Sequence, residues 1–143
     1  GIVDQSRVIG IEDYGMSLKL GSASSLLFKH AHFLHSTGCF SAYDEKSGIL
    51  FSGDIGAAVF PTGKEQVFIE NFEAALPYIE PFHTRYMASN KAALAWVRSV
   101  EPLNPVMIAP QHGAIFKGES VKKFLSWFGK LSCGIDILES IYK

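Results

Sequence analysis

The sequence predicts a mixed α/β (α+β) domain in which a run of strands precedes helices that have one further strand set among them. Three observations carry this. Apolar residues alternate with polar ones over Met16–Leu20, a polar turn at Asp44–Gly48 separates two short apolar runs, and later apolar residues recur at helical spacing. With 143 residues, 48% of them apolar and 19% charged, the chain reads as one domain, 1–143, large enough for a core without disulfides or a structural metal.

Element by element, Met16, Leu18 and Leu20 line one face of a first strand. Leu26–Leu34 is expected as a second strand, with Phe28, His30 and His32 on one face and Leu27, Ala31 and Phe33 on the other. Phe40–Tyr43 and Ile49–Phe51 are expected to pair as a hairpin across Asp44-Glu45-Lys46-Ser47-Gly48. Phe68, Phe72, Ala75, Leu76 and Ile79 follow helical spacing, and Pro77 is expected to end or kink that helix near Leu76. A second helical stripe runs through Ala93, Trp96, Val97 and Val100, closed by Pro102 and Pro105. Val106–Ala109 reads as a short buried strand. Val121, Phe124, Leu125 and Phe128 mark a last amphipathic helix, closed by Gly129 or Gly134.

Composition narrows the function classes. Thirteen Lys and Arg against fourteen Asp and Glu leave no basic surface for a nucleic-acid backbone. Neither GxGxxG nor GxxxxGK[ST] occurs, so a glycine loop for phosphate has no support. Cys39 and Cys133 lack zinc or disulfide-scaffold spacing, which fits a reducing, cytoplasmic setting. No apolar stretch is long enough for a membrane span. The sequence opens Gly1-Ile2-Val3-Asp4 without an initiator Met, so it is expected to be processed, tagged or part of something longer.

Three metal-capable side chains stand at expected strand ends beside small residues. They are His35 in His-Ser-Thr-Gly, Asp54 in Ser-Gly-Asp-Ile-Gly and His112 in Pro-Gln-His-Gly. Strand ends can converge in space, and glycine leaves room for an ion and a small ligand. A hydrogen-bonded structural histidine and a Gly-Asp turn are the ordinary alternatives, and spacing alone leaves both readings open.

The run from His32 to Ala58, HFLHSTGCFSAYDEKSGILFSGDIGAA, followed by MIAPQHGAIF from Met107 to Phe116, resembles the second half of the metallo-β-lactamase superfamily. It is most similar to the flavodiiron proteins and their stand-alone relatives, the oxygen-binding di-iron proteins. Thr37 departs from the Pro that the family usually places there. The resemblance implies the C-terminal half of an αββα sandwich, with His35 on one metal, Asp54 bridging both and His112 on the other. The implied cofactor is binuclear iron, with binuclear zinc as the alternative. The implied ligand is O2 or NO; no flavodoxin domain and no FMN are expected in this chain, so an external electron donor is expected.

The family's remaining ligands lie in HxExD or HxHxDH, placed ahead of this segment, and neither motif occurs in residues 1–143. The segment alone is therefore expected to bind less than a full metal complement and to be inactive, the intact parent being an O2 or NO reductase-like oxidoreductase. A zinc-dependent hydrolase of the same superfamily is the second reading. A non-catalytic half-domain, covered by a homo-oligomer or a complementing N-terminal half, is the third.

The remaining candidates rank below these. His32, His83 and Tyr86 are the side chains that could orient a ligand or line the pocket. His83 and Tyr86 stand at i and i+3 of an expected helix start, where a structural role is the alternative. His30 is read as an exposed or satisfied strand residue, and Cys39 as a buried structural thiol. Ser36 has no triad partners.

Overall fold

The computed structural model describes residues 8–143; the opening Gly1–Asp4 lies outside the described residues. Six strands form one sheet in the order β1 (Met16–Leu20), β2 (Ser24–His30), β3 (Phe40–Asp44), β4 (Ile49–Gly53), β5 (Met107–Pro110) and β6 (Phe116–Lys117). Neighbours are antiparallel except β4 and β5, which run parallel, as a crossover through helices requires. The crossover holds α1 (Phe72–Tyr86) and α2 (Asn90–Val100); α3 (Glu119–Phe128) and the short α4 (Leu138–Ile141) follow β6.

Alternation decides which face is covered. Leu50, Ile108 and Phe116 stand in register across β4, β5 and β6 and are fully buried, packed with Trp96, Val100, Phe124 and Phe128 from the helices. Trp96 also donates its indole N–H to Ser41 Oγ at 3.0 Å, so a buried polar pair ties α2 to β3. On the opposite face Phe51, paired with Ala42, is 48% exposed.

The structure bears out β1, the β3–β4 hairpin, β5, α2 and an α3 closed at Gly129, and corrects four other expectations. β2 stops at His30, because Phe33 and His35 take φ of +66° and +82°, values no strand accommodates. His32 therefore lies in a loop. Phe68 is outside the first helix, bridged in parallel to Ile115, and Asn71 caps α1 by accepting the Ala74 N–H at 3.0 Å. β6, only two residues long, has no periodicity from which to be predicted.

The fourth correction concerns the prolines. α1 runs through both Pro77 and Pro81, and His83 and Tyr86 sit in its last turn rather than at a helix start. Each proline removes an intrahelical N–H. Nearby bonds tie this stretch of α1 to its surroundings: Tyr78 O accepts from Val59 N–H at 2.9 Å, and Ile79 O accepts from the His83 ring at 2.8 Å. Both prolines face solvent, where a helix most readily bends outward.

Candidate metal centre

Topology brings the three sequence candidates to one end of the sheet. The end of β2, the start of β3 and the ends of β4 and β5 share an edge, because β3 runs against its neighbours while β4 and β5 run parallel. His35 lies in the β2–β3 connection, Asp54 directly follows β4, and His112 stands two residues beyond β5. Carboxyl ends of parallel strands are where open α/β sheets place their ligands.

The β4 and β5 loops are stitched together. Gln111 N–H donates to Gly53 O at 2.7 Å, and Ala58 N–H donates to His112 O at 3.3 Å. Gly113 has φ of +98°, and a Cβ there would lie 2.6 Å from Ala58 N, so only glycine permits the approach. Across this seam His112 Nε2 lies 3.7 Å from Asp54 Oδ1, with the imidazole 65% and the carboxylate 25% exposed. That is too long for a hydrogen bond. Two donors sharing one ion at roughly 2.1 Å each would be about 3 to 3.5 Å apart, so a small adjustment would let both hold a metal. A nitrogen and an oxygen donor suit iron and zinc alike.

His35 is placed by strain and stacking. Its positive φ is sparsely populated for a residue with a Cβ, and the loop is held by Leu34 bridging to Met87 and by Ala88 N–H donating to Phe33 O at 3.1 Å. The His35 ring lies near-parallel to Phe82 and Tyr86, at centroid distances of 5.8 and 5.7 Å. Tyr86 thus packs against a candidate ligand. The structure pairs Asp54 with His112, but among the described residues no group of three or more His, Cys, Asp or Glu side chains is close enough to hold a metal.

His83 has a more specific place than sequence reasoning gave it. It is fully buried, with Nδ1 donating to Ile79 O and Nε2 accepting the Gly56 N–H, both at 2.8 Å. Burial pushes its pKa down to about 4, against the weaker opposing effects of the Ile79 hydrogen bond and the Asp54 charge. The imidazole is neutral at pH 7 and supports the Asp54 loop from behind.

The other candidates face elsewhere. His32 Nε2 donates to Asp13 O at 2.8 Å, so it does not orient His35 by that nitrogen. His30 is neither exposed nor satisfied, since its Nδ1 is buried with no hydrogen-bond partner. A pocket of about 400 Å³ lined by His30, His32, Leu34, Ala92 and Trp96 contains neither Asp54 nor His112. Cys39 is half-buried rather than buried, 3.2 Å from Ser36 Oγ. Burial, with Asp136 nearby, raises the Cys133 thiol to about 11 and keeps it protonated.

This sheet and its helices make up a metallo-β-lactamase-like fold. The family described as "ODP family beta lactamase" matches residues 1–113, and the chain belongs to it. A solved structure described as a peroxy diiron species of the chemotaxis sensor ODP superposes with a TM-score of 0.90 at 54% identity, covering 98% of this chain and 60% of that one. The apo state of the chemotaxis sensor ODP from T. denticola gives 0.89 at 56%, covering 98% and 57%. A variant of the flavo di-iron protein from Thermotoga maritima gives 0.68 at 21%, covering 86% and 30%, a likeness of fold. The chain therefore spans about 60% of the length of the solved ODP chains it matches.

Proposed function

We propose that this chain contributes His35, Asp54 and His112 to a di-iron centre that binds O2, as the C-terminal part of a metallo-β-lactamase-like sandwich. The observation that carries the reading is the Asp54–His112 pair at 3.7 Å, at the ends of two parallel strands. It occurs in a chain 54% identical to a protein whose solved form is described as a di-iron chemotaxis sensor. When bound, the iron pair supplies the electrons that a diatomic gas accepts.

The chain's own residues do the rest. Asp54, with two carboxylate oxygens, would be held in common by the two irons, while His112 would serve one and His35 the other. The remaining ligands come from sequence corresponding to the part of the relatives that this chain does not span, which would also cover the sheet face carrying Phe51. Phe82 and Tyr86 keep the His35 ring in a fixed plane, and that loop's strained backbone limits its alternatives. Neutral His83 adds no positive charge behind the site. The likeness to a protein described as a chemotaxis sensor and solved as a peroxy diiron species supports O2 rather than NO as the ligand, and retention rather than rapid turnover.

Metal analysis of the natural full-length protein, loaded anaerobically with iron(II) in competition with zinc, tests this. Two irons per chain and an absorption change on admitting O2 are expected. Two zincs with turnover of an ester or thioester would overturn the reading.

A further inference from the structure

We propose that His83 is a positioning residue for the centre: its unprotonated Nε2 fixes the Gly56 amide and so sets where the Asp54 carboxylate stands. The inference rests on Asp54 being a metal ligand, as argued under the proposed function.

The turn after β4 is tied at successive residues. Ser52 Oγ donates to Ile55 O at 2.6 Å, Ala57 N–H donates to Asp54 O at 3.0 Å, and Gly56 N–H donates to His83 Nε2 at 2.8 Å. The first two bonds are internal to the turn and would move with it. The third anchors it to another element, α1, at a point two residues from Asp54. Gly56 has φ of +99°, and a Cβ there would come 2.9 Å from the buried Phe116 ring, so this conformation of the turn favours glycine.

The histidine is itself prevented from moving. Its ring is fully buried with Phe82, Phe124, Trp127 and Phe128 around it at centroid distances of 5.4 to 6.0 Å. Nδ1–H is committed to Ile79 O, which fixes the tautomer and leaves Nε2 as the acceptor. One turn of α1 therefore serves two candidate ligands. Phe82 and Tyr86 pack together against His35, and His83 between them in sequence holds the loop of Asp54. Supporting residues of this kind typically change metal affinity by about 10- to 100-fold when removed.

The test compares His83→Leu, which leaves the Gly56 amide without an acceptor, with His83→Gln, whose side-chain oxygen can reach the same N–H. Val100→Ala, a buried deletion in α2 outside the site, is the control for lost stability. Iron(II) affinity of the full-length protein and hydrogen exchange at the Gly56 amide are read for each. The expected result is a loss of affinity of at least about tenfold in His83→Leu, with faster Gly56 exchange. His83→Gln should recover most of both, and Val100→Ala should stay within about twofold of wild type in affinity. Wild-type affinity in His83→Leu, or an equal loss in Val100→Ala, would overturn the inference. Should the wild-type protein bind no iron pair, the di-iron reading itself fails, and unchanged Gly56 exchange in His83→Leu would separately refute the anchoring.

Discussion

Replacing Asp54 by Ala is expected to take the full-length protein from two bound irons per chain to fewer than about 0.5 under equal loading, a loss of affinity beyond the 10- to 100-fold typical of supporting residues. A bridging carboxylate serves two ions, so one substitution removes a donor from each. His35→Ala and His112→Ala should each mainly empty one position. Stability should move little with Asp54→Ala, within about 0.5 to 1 kcal/mol, because the carboxylate is partly exposed and its close side-chain contact is an imidazole 3.7 Å away. Metal content by elemental analysis and urea midpoints on the same preparations check both halves. Iron retained by Asp54→Ala would remove the residue from the ligand set.

The second large effect is a loss of stability in mild acid. Unfolded, His83 titrates near 6.5; folded, burial holds it at about 4. Between those values the unfolded state takes up more protons, so stability rises with pH in this window. The His83 contribution is complete above about pH 6.5, declines as the pH falls, and levels off below about 4. A difference of this size corresponds to about 3 kcal/mol, a large share of the roughly 5 to 15 kcal/mol of a typical domain. The Asp54 charge nearby opposes the shift and is already reflected in it. Asp44, held low chiefly by hydrogen bonds from Ser47 and Lys46, and Glu73, held low chiefly by Lys123, act in the same direction only at more acid pH. Urea unfolding of the metal-free protein at pH 7, 5.5 and 4.5 should show the decline, and His83→Leu should flatten it. Parallel slopes for the two proteins would place the acid-sensitive group elsewhere.

Much of the fold was legible because its signals are local. Met16–Leu20 alternates with period two, the polar turn Asp44–Gly48 separates two short apolar runs, and Val121 to Phe128 keeps a helical stripe up to Gly129, so β1, the β3–β4 hairpin and α3 follow from the pattern. What failed depended on distant partners. Pro77 and Pro81 read as breakers, yet α1 runs through both because tertiary packing, with Ile79 and His83 fully buried and Val59 N–H bonded to Tyr78 O, outweighs two missing N–H donors. The end of β2 was missed because the positive φ at Phe33 and His35 has no marker in residue type.

The site divides in the same way. Asp54 and His112 stood out as candidates from Gly-Asp and Gln-His-Gly at strand ends, where spacing alone left a turn and a structural histidine open, and the structure sets them 3.7 Å apart. His83 was noticed only as one of a pair with Tyr86. Its link to Gly56 spans 27 residues and depends on α1 continuing past two prolines, so no local pattern announces it. A buried histidine one turn from a helix end, next to aromatic residues, is the signal that could have raised its rank.

The most direct test of the central claim is an iron-edge anomalous difference map from crystals of the full-length protein grown anaerobically with iron(II). The account predicts two peaks roughly 3.5 to 4 Å apart, both beside Asp54, with His112 nearest one and His35 nearest the other. Peaks in the His30–His32 pocket, or a single peak that Asp54 does not touch, would contradict it.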